Sequence, residues 1–354
     1  MMTNMARSIE LGVEFWNDSC RLGELADAVA NGAVGATSNP VIVYAAVESD
    51  QETWLPVLDR LIGDHPDDTE DTLAWRLIGE VGARAAAILE PVHARTQGAK
   101  GYLSVQVNPK YYRSTRLMVE HGRELAVLAP NIAIKCPATA EGVAAMEQLT
   151  ALGININATV SFTVAQSLAV AEAVERGLDA AEKSGVDMAR MHPYVTIMSG
   201  RVFDQCKRER DALGTPLDDE TLGWSGIAVF KRAWELYQER GYRSTLLCAA
   251  YRSQLQWSEL VGPAVIQSIP HPWWTGFNAA EVDVGRTIDT PVDPTILAAL
   301  TEHSADFRRA YEPDGLDPQD FVRYGGAYHT LHQFLGGYAD YLGFIRGRML
   351  QQLT

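Results

Sequence analysis

The stretch NIAIKCPAT, residues 131–139, combines a strand, a strand breaker and a misplaced charge. Ile132, Ala133 and Ile134 read as a buried strand, Pro137 ends it, and Lys135 sits at its last turn. Burying an ammonium group is costly and favours loss of its proton. Only six of the 30 Lys and Arg residues are lysines, so each is worth individual inspection. The ordinary reading of Lys135 is a snorkelling strand-end lysine or one paired with a buried carboxylate. The chemical reading is a nucleophile whose pKa is depressed by desolvation.

Outward from this segment the same pattern recurs. GVEFWND (12–18), GAVGATSNP (32–40) and GYLSVQVNP (101–109) precede it. ININATVSF (154–162), HPYVTIMSG (192–200), STLLCAAY (244–251) and AVIQSIPH (264–271) follow. Between them lie helical patterns such as STRLMVEHGRELAVL and VAQSLAVAEAVERGLDAAEKSG. Strands alternating with helices imply parallel pairing through right-handed crossovers, and eight such units predict an α/β fold, a (β/α)8 TIM barrel with additional helices. A doubly wound open sheet is the alternative, but no GxGxxG or P-loop follows any strand. No linker divides the chain, so residues 1–354 are expected to form one barrel domain, with segment 293–354 helical and packed on it. TLHQFLGGYADYLGFIRGRML reads as an amphipathic helix that could pack across the barrel.

Composition narrows the function. With 47% hydrophobic and 21% charged residues the chain is of ordinary globular type. A net charge of −15 argues against nucleic acid or an anionic membrane as partner. No apolar run reaches the ~18–20 residues a membrane span needs, and MMTNMARSIELG lacks the apolar core of a signal peptide. Cys20, Cys136, Cys206 and Cys248 show no CxxC spacing and read as free thiols, which points to a cytoplasmic protein. The oligomeric state stays open, since an exposed barrel helix could serve a homo-oligomer.

The polar residues gather at the strands' C-terminal ends, where this architecture builds its sites. Asp18 could cap the next helix, SCRLGELADAV, or face Lys135 and take a proton from a substrate hydroxyl. That pair suits retro-aldol cleavage: an iminium accepts electrons while a base removes the hydroxyl proton. Asn39 and Asn157 are core amides or groups that orient a polyol. Arg201 and Arg252 are surface residues or a pair that binds a doubly ionised group such as phosphate. His329 and His332 are three apart, with no third ligand for a metal. Tyr324, Tyr328, Phe334, Tyr338 and Tyr341 read as packing, and Cys136 as a core thiol facing away from Lys135.

At these segments the sequence resembles the transaldolase family, and in length its larger bacterial branch. FWNDSC is similar to the family's first-strand aspartate motif and GATSNPVIV to its second strand. IAIKCPATAEGVAAMEQLTALGININATVSFTVAQSLAVAEA carries the Lys-x-Pro-Ala-Thr, Gly-Ile-x-x-Asn-x-Thr and Phe-Ser-x-x-Gln-Ala series. The resemblance implies a Schiff base on Lys135 with a ketose phosphate, with no metal or organic cofactor. It implies Asp18 as proton acceptor and donor, and Asn39, Asn157 and Thr196 around the dihydroxyacetone unit. Thr159 would position the catalytic water, and Arg201 and Arg252 would bind phosphate. Two positions depart from the family pattern. Gln106, in SVQVNP, replaces a glutamate and can hydrogen-bond the catalytic water but cannot shuttle its proton. Met198 replaces an aromatic residue. The related fructose-6-phosphate aldolase branch also has glutamine at the first position.

The reaction implied is transfer of a dihydroxyacetone unit from a ketose phosphate to an aldose phosphate. The alternatives are a class I aldolase that cleaves without transfer, imine-based dehydration or isomerisation, and a non-catalytic sugar-phosphate-binding barrel. A lysine-bound pyridoxal phosphate enzyme would be yellow, and no motif for that cofactor is present.

Overall fold

The computed structural model describes residues 2–353. Its strands are β1 (Val13–Asn17), β2 (Gly35–Thr37), β3 (Tyr102–Gln106), β4 (Ile132–Pro137), β5 (Ile156–Thr159), β6 (Tyr194–Ile197), β7 (Thr245–Cys248) and β8 (Val265–Ile269). Each pairs in parallel with the next, and β8 returns to β1, closing the barrel. The eight strands fall within the eight segments read from sequence. Lys135 lies inside β4 rather than at its end, because the strand runs on through Pro137.

Side chains alternate across each strand, so β4 divides its residues between two environments. Ile134 and Cys136 join the large apolar core between strands and helices. Ala133 joins a separate cluster with Trp16, Tyr102, Tyr194, Leu247 and Ile266, which plugs the barrel interior. Trp16 and Tyr194 meet edge-on there, with centroids 4.7 Å apart. Gly35 makes room for the indole: a Cβ at that position would lie 2.3 Å from Trp16 Cε2. The plug is an apolar floor, and Lys135 stands one step above it.

Short polar segments turn the chain from strand to helix. Thr139 caps the helix Ala140–Ala151, accepting the Gly142 N–H at 3.0 Å, and Thr163 caps Val164–Lys183 through the Gln166 N–H at 3.0 Å. The helices Pro294–His303 and Ala305–Tyr311 lead to a C-terminal helix, Gly325–Gln351. This last helix packs against the helices Pro40–Ser49, Glu70–Arg95 and Ser199–Leu213, and so runs beside the barrel mouth. Among the described residues no helix is long and apolar enough to cross a membrane.

His121 gives the fold a pH sensitivity. Its Nδ1 accepts the Asn108 N–H at 3.1 Å, and its ring packs edge-on against Trp75 and Tyr111. Burial holds its pKa down to about 4. Below pH 6.5 the unfolded chain takes up this proton first, so stability drops as pH falls from 6.5 towards 4, by about 3 kcal/mol in all. Urea unfolding at a series of pH values should show this slope in the wild type. His121→Gln should lose that component of it.

Candidate active site

A cavity of about 420 Å³ opens at the C-terminal ends of the strands. Asp18, Asn39, Lys135, Thr159, Thr196, Arg201 and Arg252 all line it, although they come from six different strand ends or the segments after them. Gln106 and Asn157 do not line the open space. Instead they flank Lys135 in register on β3 and β5 and are buried beside it. All nine residues singled out from sequence therefore converge on one place.

Lys135 is only 6% exposed. Its Nζ has one hydrogen bond, to the Ser38 carbonyl at 3.4 Å, and no salt bridge among the described residues. Lys231 is the useful contrast, since it is 4% exposed yet donates to the Thr287 and Thr290 carbonyls at 2.8 and 2.7 Å. It also lies 3.6 Å from a Glu259 oxygen. Lys231 is a satisfied structural cation; Lys135 is buried without equivalent partners. Burial lowers the Lys135 pKa, the negative charge of Asp18 opposes that shift, and Arg201 adds to it.

Asp18 follows β1 and is half-buried. It does not cap the next helix, Leu22–Ala30, whose N-cap residue is Arg21. Thr37 donates to Asp18 Oδ1 at 2.6 Å, and the Thr37 oxygen lies 2.6 Å from Ser268 Oγ. Burial raises the Asp18 pKa against the opposing pull of Lys135, the Thr37 hydrogen bond and Arg201. A carboxylate held up and a lysine held down suit a base and a nucleophile near neutral pH.

The amides are held in defined orientations. Thr196 donates to Asn157 Oδ1 at 2.8 Å, and Asn157 Nδ2 donates to Ser104 Oγ at 2.9 Å. Asn39 caps the helix Pro40–Ser49, with its Oδ1 accepting the Ile42 N–H at 2.9 Å, which leaves its NH2 for a ligand. Among the described residues the Thr159 hydroxyl meets only Met198 Sδ, at 3.9 Å. Gln106 Oε1 is buried with no hydrogen-bond partner among the described residues, and a water or substrate hydroxyl would satisfy it.

The arginines differ from each other. Arg201 lies in the first turn of the helix Ser199–Leu213. Gly200 lets that helix abut the segment just after β7, since a Cβ there would lie 1.7 Å from the Ala250 carbonyl oxygen. This close approach brings Arg201 beside Arg252. Arg252 pairs with Asp204 through two bonds, of 3.1 and 2.8 Å. The Arg201 Nη1–H donates to Thr330 at 3.3 Å, and its Nε is buried without a partner among the described residues.

The mouth also stores backbone strain. Val160 and Ala250, just beyond β5 and β7, have φ of 51° and 66°. For a β-branched residue such as Val160 this costs on the order of 1–3 kcal/mol. Gln166 holds the first turn in place by accepting the Phe162 N–H and donating to the Ala138 and Val160 carbonyls, all at 3.0 Å.

Sequence reasoning missed Thr37 and Ser104 as the groups that orient Asp18 and Asn157. Both lie in the quoted segments GAVGATSNP and GYLSVQVNP, each two residues from a singled-out amide. It also read Phe334 as packing only. Phe334 and Gln333 line the cavity, because the C-terminal helix turns one face towards it. Among the described residues no group of three or more His, Cys, Asp or Glu side chains could hold a metal ion.

A closed (β/α)8 barrel with a buried lysine, a carboxylate and two arginines around one mouth cavity has the architecture of an enzyme. The family model described as transaldolase/fructose-6-phosphate aldolase matches residues 15–313. The chain is 33% identical to a transaldolase of Thiobacillus denitrificans over 306 residues, covering 83% of this chain and 82% of that one. It is 29% identical to transaldolase 1 of Streptomyces avermitilis, covering 75% and 77%. It is 25% identical to a transaldolase of Arthrobacter sp. strain FB24, covering 99% and 98%. The chain belongs to the transaldolase/fructose-6-phosphate aldolase family and is an enzyme.

Proposed function

We propose that this enzyme transfers a dihydroxyacetone unit from a ketose phosphate to an aldose phosphate through an imine on Lys135. The observation that carries the reading is the contrast between Lys135, buried with one long hydrogen bond, and Lys231, buried with short ones. The unprotonated amine attacks the ketone, and loss of water gives the iminium. Asp18 removes the proton of the hydroxyl two carbons from the imine carbon. The bond from that hydroxyl-bearing carbon to the carbon next to the imine breaks, its electrons pass into the iminium, and an aldose phosphate leaves. The enamine on Lys135 then adds to a second aldehyde, and Asp18 returns the proton to the new alkoxide. Water hydrolyses the imine and frees the lysine.

Thr159 and Gln106 would hold the water consumed and released, with Asn39, Asn157 and Thr196 on the hydroxyls of the three-carbon unit. Arg201 and Arg252 would take the phosphate. The four free cysteines, all buried, are consistent with a cytoplasmic setting.

The test is incubation with fructose 6-phosphate and borohydride, followed by peptide mass analysis. A reduced three-carbon adduct on Lys135 is the expected result. Absence of any adduct, with the sugar phosphate still bound, would instead leave a binding barrel. The second reading, cleavage without transfer, is favoured by Gln106, whose amide cannot shuttle a proton. Free dihydroxyacetone released in the absence of any aldehyde acceptor would establish it.

A further inference from the structure

The C-terminal helix Gly325–Gln351 lies beyond residue 313, where the family model's match ends. It nevertheless reaches the catalytic cavity. Thr330, Gln333 and Phe334 are spaced i, i+3 and i+4 and so share one face. Thr330 accepts a hydrogen bond from Arg201, and the Phe334 ring centroid lies 5.9 Å from the Arg201 Cζ. Gln333 lines the cavity, and its amide has no hydrogen-bond partner among the described residues.

Arg252 is already paired with Asp204, whereas Arg201 forms no salt bridge among the described residues. Its buried, unpartnered Nε–H needs an acceptor, and an anionic oxygen is the strongest one. A guanidinium fixed by a hydroxyl and a ring is pre-oriented for that anion. The neighbouring free amide adds a donor from the same helix face.

We propose that the C-terminal helix completes a phosphate-ester subsite. Thr330 and Phe334 are positioning residues for Arg201, and Gln333 donates directly to the bound ester. The inference rests on the sugar-phosphate reading of the cavity and adds to it which element sets affinity for the charged end. Donor and acceptor are then selected by a helix about 190 residues along the chain from Lys135.

The experiment uses the full chain, with glycerol 3-phosphate as the calorimetric probe and fructose 6-phosphate for steady-state kinetics. Thr330→Val and Gln333→Ala should each weaken the probe about tenfold, the scale of a lost hydrogen bond to a charged group, and Phe334→Leu by several-fold, the scale of a lost cation–π contact. KM for the sugar phosphate should rise in parallel, with kcat changing much less. Thr330→Ser should restore binding. Tyr328→Ala, on the helix's solvent side at 59% exposure, should change neither quantity.

Unchanged probe affinity in all three variants would overturn the inference, as would a loss confined to kcat. If the wild type binds the probe in this variant-dependent way but traps no imine, the Schiff-base reading fails and this inference stands. If dihydroxyacetone is trapped on Lys135 while the probe does not bind, this inference fails alone.

Discussion

Lys135→Met is expected to abolish borohydride trapping of fructose 6-phosphate and to lower turnover by on the order of 10⁴-fold or more. No other side chain in the cavity can replace the amine. Lys231, the other buried lysine, is tied to two carbonyls and near Glu259, and it does not line the cavity. The sugar phosphate should still bind, because Arg201 and Arg252 are untouched. Calorimetry should therefore find affinity within a few-fold of wild type while mass analysis finds no adduct. Trapping that survives in the variant would place the imine on another residue and sink the assignment.

The same substitution should leave the fold intact. The lysine pKa is depressed in the folded chain, so the residue opposes folding below its ordinary value of 10.5, and that penalty fades as pH rises towards it. Methionine removes the penalty but also removes the positive neighbour of Asp18, whose pKa should rise further. The two effects oppose each other, and Tm at pH 7 should move by no more than about 5 °C.

Asp18→Asn is expected to separate the two halves of the reaction. The imine should form, but carbon–carbon cleavage should slow by about 10²–10⁴-fold, the range for loss of a positioned general base. Mass analysis should then find the intact six-carbon adduct on Lys135 in place of the three-carbon one. Asparagine can still accept the Thr37 hydroxyl bond, so the local structure should persist.

The pH dependence has a definite sign. In the wild type, activity should rise with pH as Asp18, its pKa raised by burial, loses its proton and more of Lys135 becomes free amine. Removing the Asp18 charge takes away the interaction that holds the lysine's proton, so trapping in Asp18→Asn should persist to lower pH than in the wild type. A three-carbon adduct formed at wild-type rate would show that another group takes the proton.

Local sequence determined the barrel. Period-two alternation and apolar runs specify strands from neighbours only a few residues apart, and Thr139 and Thr163 end the loops by capping the helices that follow. It also determined which strand ends are polar, and with them the candidate site residues. Bare sequence singled out Lys135 by its place on a strand but did not show that it, unlike Lys231, is buried without strong partners. Both sit in apolar surroundings, and they differ in carbonyl partners more than 50 residues away for one and in a single weak bond for the other.

Tertiary structure alone released Asp18 from helix capping and gave it Thr37, and it carried Phe334 and Gln333 to the cavity. The C-terminal helix shows the reason most plainly. Its apolar pattern requires one face to be buried but does not say against what. Only the docked helix, closed against the segments after β2 and β6, turns Thr330, Gln333 and Phe334 towards Arg201.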